Sequence, residues 1–152
     1  MNHANFSVTL VVDQTPEQVF NAIMNVRKWW SGYYDEEITG GTENLNDEFS
    51  FRAGGGVHFS RQKLVEVIPD QKIVWLVTDS ELSFIENKKE WTGTKIVFDI
   101  AAKEGKTQLV FTHEGLVPEV ECYASCSPAW SQYLQNKLLP LIKSSKTGAG
   151  VK

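Results

Sequence analysis

The sequence predicts one α+β domain: a curved antiparallel sheet of six or seven strands around a long C-terminal helix, with two short helices after the first strand. Three observations predict it. An amphipathic helix follows the first strand, β-type segments fill the middle of the chain, and a second amphipathic helix comes late. The 152 residues suffice for one sizeable core. We expect a single domain over 1–152, ordered over about 6–144, with a mobile tail at 145–152.

The N-terminal part reads as a strand followed by a helix. The segment "FSVTLVV", from Phe6 to Val12, is rich in β-branched residues, which favour strands. Thr15 is a suitable N-cap, and Pro16 fits the first helical position. Apolar residues then recur at helical spacing and predict one buried stripe: Val19, Phe20, Ile23 and Met24.

A tryptophan pair follows this helix in "NVRKWWSGYY", which we expect to form a short second helical turn ending by Gly32. Adjacent helical residues point about 100° apart, and adjacent strand residues point to opposite faces. Trp29 and Trp30 therefore need two different apolar surroundings. We expect one ring in the core and the other at a cavity, a partner or another layer.

The middle of the chain predicts the sheet. After a polar loop, "EFSFRA" and "VHFSRQKLVEVI" read as strands joined by the glycine run 54–56. "QKIVWLVTD" is another strand, followed by the less regular aromatic segment "LSFIENKKEW". The segment 93–116 predicts a hairpin that turns at 104–106. In it we expect these side chains to face inward: Ile96, Phe98, Ile100, Leu109, Phe111 and His113.

The last element is an amphipathic helix led by Trp130, with apolar residues at about 3.6-residue spacing. Ser127 and Pro128 are expected as its cap and first-turn residue. Pro140 is expected to kink or loosen the final turn. A twisted sheet that curves around one helix leaves space between the two, and such a space is a natural apolar ligand site.

Composition excludes several classes of function. The net charge is −4, and the cations form no basic stripe, so nucleic acid is not an expected partner. Neither a signal peptide nor an apolar run long enough for a membrane span is present, which favours a cytoplasmic protein. Cys122 and Cys126 are expected as reduced, packed thiols. Histidines at 3, 58 and 113 lack metal-ligand spacing, and no cofactor motif occurs.

The order of these segments resembles a known family. "TPEQVFNAIMNVRKWW", the glycines before a strand, "LVEVIPDQKIVW", "TKIVFDIAAKEGKTQLVFTHEGL" and a tryptophan-led last helix are similar to the START-like or SRPBCC superfamily. Within it the chain resembles the domain homologous to the activator of heat-shock protein 90 ATPase. The resemblance covers roughly 6–144. It implies a helix-grip fold, with the tryptophan pair beside the mouth of a cavity.

The leading functional hypothesis is binding of a small hydrophobic or aromatic molecule, of a lipid, polyketide-like or isoprenoid type, between the sheet and the last helix. Aromatic rings suit the walls of such a cavity, and a few polar groups would orient the ligand. The candidate ligand-binding residues are Trp29, Trp30, Phe51, Trp75, Phe84, Trp91, Phe98, Phe111, His113, Tyr123, Trp130 and Tyr133. Neither a metal nor a cofactor is expected, and the chain is expected to be a monomer or a homodimer.

Two alternatives stay open. The resemblance also implies a polyketide cyclase-like or hydrolase-type enzyme, in which His113 or Tyr133 would move a proton. A histidine satisfied by hydrogen bonds to backbone or water is the favoured explanation of His113, because Glu114 points to the opposite face and cannot orient it. The other alternative is a stress-response module that stimulates a chaperone ATPase through an exposed apolar patch including Trp30, Tyr33 and Tyr34.

Overall fold

The computed structural model of the chain describes residues 5–118 and 120–144. The expected mobile tail and His3 lie outside these residues. The strands are β1 (Phe6–Val12), β2 (Glu37–Gly40), β3 (Glu48–Ala53), β4 (His58–Ile68), β5 (Lys72–Leu82), β6 (Lys95–Lys103) and β7 (Lys106–Glu114). The helices are α1 (Pro16–Met24), α2 (Val26–Trp29), α3 (Tyr123–Tyr133) and α4 (Leu139–Lys143), with a π-helical segment (Leu134–Leu138) between the last two.

All seven strands form one antiparallel sheet in the order β1-β7-β6-β5-β4-β3-β2, which confirms the predicted fold class. β4 carries two register irregularities opposite β5, and irregularities of this kind bend a strand and increase its twist. β2 lies inside the segment that was read as a polar loop. Its residues alternate too weakly in polarity to signal a strand, and pairing with β3 makes it one.

The first helix begins as the sequence predicts. The Thr15 side chain accepts a hydrogen bond from the Gln18 backbone N–H, and the Gln18 side chain accepts one from the Thr15 N–H, which completes a capping box. α1 buries Val19, Ala22 and Ile23 against β6 and β7. The helix is therefore fixed at both its start and its inner face.

The C-terminal helix begins earlier than predicted. Its first residue is Tyr123, so the expectation that Ser127 and Pro128 form its cap and first turn is wrong. Pro128 lies inside the helix on its exposed side, where water can reach the carbonyl that its missing N–H leaves unbonded. The π-helical segment directly precedes Pro140. That local widening lets the chain pass the second proline without ending the helix.

The expectation of two reduced thiols is also wrong. Cys122 and Cys126 are joined in a disulfide at the start of α3, with their Cα atoms 5.5 Å apart. A spacing of four residues on a helix places both side chains on one face, within the Cα distance that a disulfide spans. The sequence spacing alone is equally compatible with two free, packed thiols.

Candidate functional site

A cavity of about 190 Å³ lies where the β3–β4 turn and the β5–β6 connection face α3. It is lined by Trp30, Tyr34, Phe51, Ala53, Gly54, Val57, His58, Phe84, Trp91, Ser125, Cys126, Ala129, Trp130 and Tyr133. The wall is chiefly aromatic, and none of the described residues that line it is a lysine or an arginine. Since an apolar cavity of about 150 Å³ accommodates benzene, this one has room for a molecule built on one ring or a compact pair.

Trp30 is the centre of the aromatic wall. Its indole stacks on Phe51, with ring centroids 3.8 Å apart, and on Trp130 at 5.0 Å. Trp130 in turn lies parallel to Trp91 at 5.8 Å. Trp29 and Trp75 stack behind Trp30, so all five tryptophans of the chain form one continuous array.

The end of α2 explains how two adjacent tryptophans reach different surroundings. α2 stops at Trp29, and Trp30 leaves helical geometry with φ −93° and ψ 56°. Trp29 points into the core, where it packs edge-on against Phe98 and donates from its indole N–H to the Ile23 carbonyl. Trp30 lines the cavity. Both are fully buried, so Trp30 forms no part of an exposed patch.

The cavity contains half of the predicted ligand-binding residues. Six line it: Trp30, Phe51, Phe84, Trp91, Trp130 and Tyr133. The other six do not: Trp29, Trp75, Phe98, Phe111, His113 and Tyr123. Most of these are buried behind the first group. Contact between the first group and a ligand stays a prediction.

Sequence reasoning missed His58 and Tyr34 as lining residues. For His58 the alternation along β4 offered a signal. Ser60, Gln62 and Leu64 follow it at every second position and are fully buried, so His58 belongs to the inner face of the sheet. Tyr34 follows α2 in an irregular loop, for which no periodicity exists.

His113 lies fully buried behind the cavity wall, with both ring nitrogens engaged. The Trp130 indole N–H, which can only donate, donates to His113 Nδ1 at 3.1 Å. His113 Nε2 therefore carries the proton and donates to Thr94 Oγ1 at 2.9 Å, and Thr94 donates to the Trp91 carbonyl at 2.6 Å. Burial, with a smaller contribution from His58, lowers the pKa of His113 to about 3. This neutral imidazole has no free lone pair with which to act as a general base.

His58 has a different environment. Its Nδ1 is buried without a hydrogen-bond partner within the described residues, and so is the indole nitrogen of Trp91. The two rings meet edge to face with centroids 4.7 Å apart. Burial lowers the pKa of His58 to about 4, so the ring is uncharged near neutral pH. His58 is thus an uncharged hydrogen-bonding group on a chiefly aromatic wall.

Tyr133 connects the cavity to a carboxylate outside it. Its hydroxyl donates to Glu36, which also accepts from the backbone N–H groups of Gly32 at 2.8 Å and Tyr33 at 3.2 Å. Burial, together with the Glu36 carboxylate, raises the pKa of the Tyr133 phenol above its usual range. Burial opposes ionisation of Glu36, but the bonds from Tyr133 and the backbone outweigh it and lower the pKa of that carboxyl. Glu36 therefore stays negative, and Tyr133 keeps its proton.

The mouth of the cavity is apolar. Tyr34, Val57 and Phe84 line the cavity and are each about half exposed, at 51%, 49% and 44%. Phe84 also stacks on the His58 ring at 6.1 Å. These three side chains place exposed apolar surface around one opening.

Two further features bear on the classes of function considered. Within residues 5–118 and 120–144 there is no group of three or more His, Cys, Asp or Glu side chains that is able to hold a metal ion. None of the helices that the structure describes is long and apolar enough to cross a membrane.

Comparison with known families assigns the chain to one of them. Residues 13–142 match the family described as Activator of Hsp90 ATPase homolog 1-like protein. The chain belongs to this family. The match begins just after β1, runs into α4 and includes every residue that lines the cavity, so the family model covers the candidate site and six of the seven strands.

Solved structures of family-like folds are similar over nearly the whole chain. One is the Aha1 dimer from Colwellia psychrerythraea, at 24% identity and a TM-score of 0.69, covering 97% of this chain and 99% of that one. Another is protein CV1439 from Chromobacterium violaceum, at 16% identity and a TM-score of 0.69, covering 93% of this chain and 99% of that one. A third is protein MLL2253 from Mesorhizobium loti, at 15% identity and a TM-score of 0.69, covering 92% of this chain and 98% of that one. These identities establish the fold alone. No curated protein matches the sequence.

Proposed function

We propose that this Activator of Hsp90 ATPase homolog 1-like protein binds a small aromatic molecule in the cavity between its sheet and α3. The observation that carries the proposal is a space of about 190 Å³ walled mainly by aromatic rings and opening between exposed apolar side chains. Ligand sites are typically concave and apolar with a few polar groups, and this wall has that composition.

The cavity volume narrows the ligand class expected from the sequence. Pockets for drug-sized ligands usually measure about 300–1,000 Å³. At about 190 Å³ the space is too small for a multi-ring polyketide or a long isoprenoid to be fully enclosed. We therefore propose a ligand of one ring or two fused rings, flat enough to lie against the Trp30 and Trp130 indoles.

Binding is favoured over catalysis because each titratable side chain near the cavity either is already hydrogen-bonded to another residue or lacks a partner to orient it. His113 is held neutral by two hydrogen bonds and lies behind the wall. The Tyr133 hydroxyl is committed to Glu36. His58 lines the cavity, but within the described residues its Nδ1 has no carboxylate or other partner that would orient the ring for proton transfer.

A filled-cavity variant tests the proposal. Ala129 lines the cavity from α3, so Ala129→Leu should occupy the space with a residue that favours helices. Ala124→Leu is the matched control, because Ala124 lies on the same helix, is exposed and does not line the cavity. A panel of one-, two- and three-ring aromatics is then tested by thermal shift and titration calorimetry.

In the wild type, a ligand at about 100 times its Kd adds about 2.7 kcal/mol, or roughly 5–10 °C of Tm. Ala124→Leu should keep this shift and Ala129→Leu should lose it, with the three-ring compounds inactive throughout. A panel that leaves the wild-type Tm unchanged, or an Ala129→Leu protein that binds as tightly as its control, would contradict the proposal.

A second candidate is docking to a chaperone, since the family description names an activator of Hsp90 ATPase. The exposed mouth favours it: Tyr34, Val57 and Phe84 form an apolar rim without Trp30. Stimulation of Hsp90 ATPase by the purified chain should then fall in Val57→Ser. It should persist in Val65→Ser, an exposed valine elsewhere on the sheet. Absence of stimulation by the wild type, or equal losses in both variants, would count against docking.

A further inference from the structure

The cavity wall contains two buried polar atoms with no partner. Nδ1 of His58 and Nε1 of Trp91 are both inaccessible to water and form no hydrogen bond within the described residues. Both side chains line the cavity, and their rings touch edge to face. A buried polar group without a partner costs about 1–3 kcal/mol. Both nitrogens are closed to water in this structure, so a ligand in the cavity reaches one of them when the His58 or Trp91 ring turns toward it. A ligand that supplies the missing partner then gains affinity that a pure hydrocarbon cannot.

The nature of these two atoms limits what the partner can be. The Trp91 indole only donates. A neutral imidazole has one nitrogen that donates and one that accepts, and either tautomer presents one of these roles to a neighbour. A hydroxyl both donates and accepts, so it is able to pair with His58 in either tautomer and to accept from an indole N–H as well. A carbonyl or an ether oxygen only accepts.

The charges around the cavity exclude an anionic ligand. Within residues 5–118 and 120–144 no lysine or arginine lines the wall, and burial keeps His58 uncharged near neutral pH, with a pKa of about 4. The nearest ionised group bonded to the wall is the Glu36 carboxylate, which accepts the Tyr133 hydroxyl. A carboxylate or phosphate entering the cavity would lose its hydration without meeting a cation, and it would be repelled by Glu36.

We propose that the cavity selects an uncharged hydroxyl-bearing aromatic ring, a phenol-like molecule, and that His58 is the residue that hydrogen-bonds the hydroxyl. This inference rests on the proposed function and makes it more specific. The aromatic wall holds the ring, and His58, on the inner face of β4, determines which end of the molecule points toward the sheet. His58 is therefore a specificity-determining residue.

The experiment uses three probes of one size: 4-methylphenol, 1,4-dimethylbenzene and 4-methylbenzoate. Their Kd values are measured by titration calorimetry at about pH 7 for the wild type, His58→Phe and His58→Asn. The quantity compared is the ratio of the hydrocarbon Kd to the phenol Kd, because this ratio cancels changes in cavity volume that affect both probes.

The ratio should fall about tenfold in His58→Phe, which has no hydrogen-bonding atom, and should be largely kept in His58→Asn, whose amide both donates and accepts. The benzoate should be the weakest binder to the wild type. His58→Leu replaces His58→Phe if the larger ring prevents folding, since the same ratio applies.

Three other outcomes would each contradict a different part of the proposal. If the ratio is the same in the wild type and in the Phe or Leu variant, His58 does not recognise the hydroxyl and the inference is overturned, while binding of the ring itself stands. Benzoate binding as tight as that of the phenol would overturn the requirement for an uncharged ligand. If none of the three probes binds the wild type, the proposed function fails together with the inference.

Discussion

Two neutral histidines, His113 fully buried and His58 partly buried, make the stability of this domain sensitive to mild acid. Burial lowers the pKa of His58 to about 4 and that of His113 to about 3, whereas an unfolded histidine titrates near about 6.5. Below about pH 6.5 the unfolded chain therefore binds protons that the folded chain refuses. The free energy of unfolding contributed by both residues is complete above about pH 6.5. It falls as the pH drops toward the folded pKa values.

The magnitude follows from these values. Between about pH 7 and pH 5.5 each histidine should cost about 1.2 kcal/mol of unfolding free energy, and the two together about 2.5 kcal/mol. Carboxylates whose pKa the fold lowers, such as Asp79 and Glu121, contribute mainly below about pH 5, because their unfolded pKa values are near 4. The chosen interval therefore isolates the histidines.

The assay is urea unfolding at the two pH values, followed by tryptophan fluorescence, since all five tryptophans are at most 3% exposed. His58→Asn and His113→Asn should each halve the pH-dependent loss, and the double variant should nearly abolish it. Comparing each variant with itself at two pH values removes its own change in stability. A wild-type protein equally stable at both pH values, or single variants that keep the full loss, would refute the account of two neutral buried imidazoles.

Two further predictions concern hydrogen bonds that hold the fold. Thr94→Val should leave the His113 N–H without a partner and remove the side-chain bond to the Trp91 carbonyl, which keeps its bond from the Thr94 backbone N–H. We expect the free energy of unfolding in urea melts to fall by about 2–4 kcal/mol. The control Thr78→Val, at an exposed position, should change it by less than about 0.5 kcal/mol, and equal effects would contradict the network. Thr15→Ala should remove the α1 capping box and cost about 1 kcal/mol in the same measurement, and a neutral result would exclude a stabilising cap.

The element order and the inner faces of several strands could be predicted from the sequence. In β7, Leu109, Phe111 and His113 alternate with more exposed residues as the period of a strand requires. The capping pattern at Thr15 likewise located the start of α1. Such features depend on neighbours within a few residues, and the sequence displays those neighbours directly. The short strand β2 escaped prediction because it is a strand only through its pairing with β3.

The site depended on contacts between residues far apart in the chain. The sequence indicated that Trp29 and Trp30 need separate surroundings, but only the sheet and α3 place Trp30 against Phe51 and Trp130. His113 was predicted on the inner face. What the fold decided is that Trp130 and Thr94 occupy both its nitrogens, leaving His58 as the unpartnered imidazole at the cavity.

Periodicity along the chain therefore determined the predicted faces, because the spacing of side chains on a strand or helix is a local property of the backbone. The tertiary structure decided what stands opposite each face, which side chains share one cavity and which polar atoms remain unpaired. Those outcomes are set by contacts between segments about a hundred residues apart, as when Tyr133 of α3 meets Glu36 before β2.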